Sequence, residues 1–91
     1  KKMKELLNKY GFNLKKMYGQ NFIIDENIIN NIINVAKIDK ETLVIEIGPG
    51  LGTMTKYLSQ ASGKVICVEL DKKMINVLQD RFKDEENIEI I

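Results

Sequence analysis

The chain has no His and no Trp, and it holds one Pro and one Cys. Each shortage removes a class of function. Without His, no triad that uses an imidazole base can be assembled from these residues. A single Cys excludes a disulfide framework and, with no His beside it, any familiar zinc site. The apolar runs span only a few residues, so no segment is predicted to cross a membrane as a helix. The start Lys1-Lys2-Met3-Lys4-Glu5 leads into no apolar core of a signal peptide. What remains is 91 residues, 44% hydrophobic and 30% charged, which is the composition of one small globular domain rather than of a disordered segment. A chain of this length buries only about 60–65% of the surface that its unfolded form exposes. It starts with Lys, not Met, and its last residues Ile88-Glu89-Ile90-Ile91 have the character of a strand just beginning. The expectation is therefore of a chain that is incomplete.

Charge is unevenly spread. Residues 1–19 carry six Lys against one Glu, net +5, and the other 72 carry eight Lys and Arg against twelve Asp and Glu, net −4. Such an arm is either a solvated end or a segment that meets a polyanion such as nucleic acid.

Periodicity orders the rest. Met3, Leu6, Leu7 and Tyr10 share one helical face, and Gly11 is placed to end that helix. Phe12 to Phe22 shows no period and is predicted as a loop. Asp25 offers an N-cap for a helix carrying Ile28, Ile29, Ile32, Ile33, Val35 and Ala36 and running to about Lys37. Leu43-Val44-Ile45-Glu46-Ile47 has the pattern of a buried parallel strand and stops at Gly48-Pro49-Gly50. Leu51, Met54, Leu58 and Ala61 then mark a helix that ends at Ser62-Gly63. Val65 to Leu70 gives a second strand. Asp71 caps the next helix, with Met74, Ile75, Val77, Leu78 and Phe82, and a third strand opens at Ile88. Strands alternating with helical segments require right-handed crossovers and a parallel sheet, so the fold class is α/β, of the doubly wound kind.

Chemistry concentrates in Glu46-Ile47-Gly48-Pro49-Gly50-Leu51-Gly52, set between a strand and a helix where open α/β sheets bind ligands. Three alternating glycines exceed what one turn requires, and they let a ligand approach the main chain. A dinucleotide fingerprint would need a small residue at Thr53. Glu69 lies 21 residues after Gly48, at the carboxyl end of the second strand. There a carboxylate can accept from two vicinal ribose hydroxyls, as in both NAD-binding and S-adenosylmethionine-binding folds. Asp71 is more simply a cap. Glu46, in a strand that should be buried, is either solvated at the strand's end or meets a ligand ammonium. Cys67 is expected to be a small buried hydrophobe.

Lys15-Lys16-Met17-Tyr18-Gly19-Gln20-Asn21-Phe22-Ile23-Ile24-Asp25, then Val44 to Thr55 with its Glu-Ile-Gly-Pro-Gly-Leu-Gly-Thr core, then Val68-Glu69-Leu70-Asp71 resemble the ribosomal RNA small-subunit adenine N6,N6-dimethyltransferase family. The likeness runs from about Lys15 onward. The Gly-Gln-Asn-Phe segment ahead of that loop is highly specific, whereas the loop alone would fit any Rossmann-like methyltransferase. The sister group of Erm-type enzymes, which methylates large-subunit RNA, shares Gln-Asn-Phe but usually departs from Gly-Pro-Gly-Leu-Gly-Thr.

The resemblance implies a Rossmann-like S-adenosylmethionine-dependent methyltransferase fold, truncated after the third parallel strand. Residues 1–24 would be a basic arm and cofactor-capping segment, and 25–91 the first half of the methyltransferase domain. The implied activity is N6,N6-dimethylation of two adjacent adenines near the 3′ end of small-subunit ribosomal RNA, with the 30S subunit as partner, in the cytoplasm, without metal or membrane. S-adenosyl-L-methionine would be bound by Asn21 and Ile23 at its methionine end, by Gly48 and Gly50 under its carboxylate and sulfonium region, and by Glu69 at its ribose. No catalytic residue falls in this chain. The family's Gly-Asp step would follow Ile91, and its Asn-Leu-Pro-Tyr motif lies further on. The chain is thus expected to be inactive alone. The competing readings are an Erm-type enzyme and a fragment of an NAD-dependent oxidoreductase.

Overall fold

The computed structural model describes residues 2–11 and 25–91. In order, the elements are helix α1 (Lys2–Lys9), helix α2 (Glu26–Val35), strand β1 (Leu43–Ile47), helix α3 (Thr53–Ala61), strand β2 (Lys64–Val68), helix α4 (Lys72–Arg81) and strand β3 (Ile88–Ile90). The loop expected between Phe12 and Phe22 lies outside the described residues.

Local chemistry explains the ends. Asp25 and Asp71 each accept from the amide two residues on, Asn27 and Lys73, both at 2.9 Å, and so satisfy first-turn donors. Helix α1 ends where Gly11 takes φ +74°. Helix α2 stops two residues short of the expected Lys37, because Lys37 itself enters the left-handed region at φ +56°. The amide of Ile38 then reaches back to the carbonyl of Ile33 at 3.0 Å, and that of Lys37 to Asn34 at 3.2 Å. That is the Schellman closure, here with a lysine where glycine is usual.

The three strands form one parallel sheet in the order β1-β2-β3, with Val44 beside Val65 and Val65 beside Ile88. Both crossovers step the same way along the sheet, so right-handed connections place α3 and α4 on one face. There Leu58, Val65 and Cys67 form a core, with Ile33, Ile38, Val44, Met54, Ile88 and Ile90 packed on it. The opposite face is bare among the described residues: Leu43, Ile45 and Ile47 of β1 are 55%, 60% and 75% exposed. Strand β1 is therefore covered on one face, not buried on both as its apolar run implied. One helical layer of a doubly wound sheet is in place. No helix among the described residues is long and apolar enough to cross a membrane.

Candidate functional site

The site sits at the carboxyl ends of β1 and β2. The amide of Gly48 bonds the carbonyl of Val68 at 2.9 Å, which extends the β1–β2 ladder one step before the chain turns away. Gly48 and Gly50 then take φ of +67° and +60°. A Cβ built on either meets no atom within 4 Å. Their role is conformational, and the space above them is open. Gly52, at φ +80°, is different: a Cβ there would lie 2.5 Å from Cε2 of Phe82 and 2.8 Å from Cδ2 of Leu78. This third glycine lets α4 close against the loop.

Gly52 also starts α3, and it offers no side chain to cap the helix, unlike the aspartates ahead of α2 and α4. The first-turn amides of α3 are thus left for another acceptor.

Glu69 joins the loop directly. Its Oε1 accepts from the amide of Gly50 at 3.3 Å and its Oε2 from the amide of Asp71 at 3.1 Å. A carboxylate has about four lone-pair sites, so each oxygen keeps capacity for a ligand hydroxyl. The chain's two strongest sequence signals therefore meet at one place, 19 residues apart along the chain.

Glu46 has a partner inside the protein. Its Oε1 accepts from the hydroxyl of Thr55 in the first turn of α3, and the buried thiol of Cys67 lies 4.0 Å away. Burial pushes the Glu46 carboxyl above its ordinary value, with the Thr55 bond opposing that rise. Burial likewise pushes the Cys67 thiol up, which keeps it protonated and inert, as expected of a core cysteine. Asp71 is the cap of α4, as its position indicated. Asn21 and Ile23 lie outside the described residues.

Two contributors carried no sequence signal. Thr55 was one polar residue among several in α3, and only the return of the helix over β1 brings it to Glu46. Arg81, in the last turn of α4, donates from Nη1 to the carbonyl of Leu51 at 2.5 Å. The side chain of Leu51 is buried with Val77, and Leu6, Tyr10 and Met74 pack on the pair. Helix α1 is held there by Lys9 and Tyr10, which donate to Oδ2 of Asp80 at 2.7 and 2.9 Å.

The open cradle over Gly48 and Gly50, the uncapped start of α3 and the Glu69 carboxylate together fit a ligand with a nucleoside and a small anionic end. The ribosomal RNA small subunit methyltransferase A of Staphylococcus aureus (strain bovine RF122 / ET3-1) is 50% identical over 90 residues, which is 99% of this chain and 30% of that protein. A crystal structure of a dimethyladenosine transferase from Plasmodium falciparum superposes with a TM-score of 0.64 at 35% identity, over 74% of this chain and 25% of that one. The 23S rRNA methyltransferase ErmE gives 0.68 at 30% identity, over 78% and 29%. The chain thus spans about 30% of the length of the curated relative it matches. The profile of one family, ribosomal RNA adenine dimethylase, matches residues 11–91. On that match the chain belongs to the ribosomal RNA adenine dimethylase family.

Proposed function

We propose that this chain is the cofactor-binding part of an enzyme that dimethylates adenine N6 in small-subunit ribosomal RNA, with S-adenosyl-L-methionine as methyl donor. The observation that carries the reading is the bond between the Gly50 amide and Glu69 Oε1. It brings a main-chain cradle and a ribose-type acceptor together at the ends of adjacent strands. The 50% identity over 90 residues to a small-subunit enzyme supports that substrate over the large-subunit one.

The bound cofactor supplies an activated methyl group on a sulfonium centre. The residues of this chain bind and orient. Gly48 and Gly50 keep side chains out of the cradle, so the cofactor rests on backbone. Glu69 takes the ribose hydroxyls, and Asn21 and Ile23 hold the methionine end. A cofactor without phosphate needs no lysine in the loop, and none occurs from Thr42 to Thr55. Attack by an adenine amine on the methyl group is a matter of alignment, and extrusion of the base falls to residues beyond this chain. Lys15 and Lys16 of the basic arm would add contacts to RNA phosphates.

Calorimetric titration of the full-length protein with S-adenosylhomocysteine and with NAD tests the reading. Binding of the first and none of the second is expected. The reverse result would replace the methyltransferase with an oxidoreductase.

A further inference from the structure

The glycine loop is attached to α4 at successive positions. The Leu51 side chain is buried against Val77, its carbonyl accepts from Arg81, and Gly52 abuts Phe82 and Leu78. The first and third attachments are ordinary packing. The second is not, because it holds a half-buried cation against a single neutral carbonyl.

Arg81 is expensive to place there. Burial pulls its guanidinium below its ordinary value, and among the described residues no carboxylate lies within ion-pair distance of it. The start of α3, just beyond Leu51, is the positive end of that helix and adds nothing favourable. The Leu51 carbonyl, in turn, accepts from no backbone amide among the described residues, whereas the Gly52 carbonyl next to it takes the amide of Lys56 at 3.2 Å. Leu51 lies just before the helix, where the α3 ladder does not reach. The Phe82 ring under the guanidinium, 5.0 Å from centroid to Cζ, fixes its approach.

We infer that Arg81 is a positioning residue for the cofactor site: through the Leu51 carbonyl it fixes the peptide planes of Gly50 to Gly52, and so the cradle on which the cofactor lies. It touches no ligand itself. The inference deepens the proposed function and rests on it for the identity of the ligand. Without Arg81 the loop keeps its anchors at Leu51 and Gly52 but gains freedom of the peptide between them, so cofactor affinity falls while the fold stands.

The test uses the full-length protein and Arg81→Met, which keeps the apolar stem, with Arg81→Lys as the conservative variant. The dissociation constant for S-adenosylhomocysteine is expected to rise about 10-fold in Arg81→Met, equal to about 1.4 kcal/mol, and to recover in part in Arg81→Lys. Amide exchange at Gly50, Leu51 and Gly52 should quicken in Arg81→Met while that of β2 does not. An Arg81→Met protein that binds as tightly as the parent, with loop exchange unchanged, overturns the inference. If the parent itself binds no S-adenosylhomocysteine, the cofactor reading fails, and loop exchange alone decides whether Arg81 holds the loop. Should Arg81→Met not fold, Arg81→Leu, which likewise has no donor for the Leu51 carbonyl, is read by the same two measurements, and equal affinity with equal exchange overturns the inference.

Discussion

The ring of Phe82 occupies the place that a side chain on Gly52 would need. With Cε2 at 2.5 Å from a Cβ built there, the last glycine of the loop and the residue just after α4 are a matched pair. Gly52→Ala is expected to cost about 2–4 kcal/mol in urea unfolding, overpacking and left-handed backbone combined. Gly50→Ala meets open space and should cost only the backbone penalty, about 1–2 kcal/mol. Equal losses at the two positions would contradict the packing role of Gly52.

Glu69 works both within the protein and toward the ligand. From the sequence, a strand-end carboxylate waiting for a ligand should matter little to the unliganded fold. The structure changes that expectation, since both oxygens already accept from backbone amides, those of Gly50 and Asp71. Glu69→Gln keeps one acceptor and sets an amide nitrogen against the other donor. Cofactor affinity should fall roughly 10- to 100-fold, about 1.4–2.8 kcal/mol. The melting temperature without ligand should also drop by a few degrees, about 1 kcal/mol for one lost bond. Calorimetry and thermal unfolding read the two effects separately, and intact affinity in a folded variant would remove Glu69 from the site.

Glu46 sets a dependence on pH. Its carboxyl is raised above the ordinary value because burial penalises the charged form. The unfolded chain therefore gives up this proton at lower pH than the folded protein does. The contribution of Glu46 is whole below the unfolded value and is lost as pH rises through the folded one. Glu46→Gln, which can still accept from Thr55, should melt higher than the parent at neutral pH. The gap should close as the solution is acidified below the usual carboxylate range. A gap that widens with acid would reverse the sign of the burial effect.

The Asp80 cluster has the opposite sign. Hydrogen bonds from Lys9 and then Tyr10 hold the Asp80 carboxyl below its ordinary value. Its contribution is present above the unfolded value and lost as pH falls through the folded one. Its Lys9 partner is exposed, so the effect on global stability should be slight. The seating of α1 should respond more. Asp80→Asn should quicken amide exchange in Asn8 to Tyr10 at neutral pH and leave β2 unaffected. Unchanged exchange there would mean that Leu6 and Tyr10 hold α1 by packing alone.

The sequence by itself determined the elements and the site's two poles. Apolar spacing placed the helices, β-branched runs the strands, and Asp25 and Asp71 the caps, because these signals act within a few residues. Alternating glycines and Glu69 were legible for the same reason, since each answers a local demand at a strand's end. Tertiary structure decided the partners. That Glu46 would find Thr55, that Gly52 would face Phe82, and that Arg81 would reach the Leu51 carbonyl followed only when right-handed crossovers laid α3 and α4 on one face of the sheet. The half-exposed state of β1 came from the same source. Its apolar run reports what the strand can bury, and the layers packed on the sheet settle which face is covered.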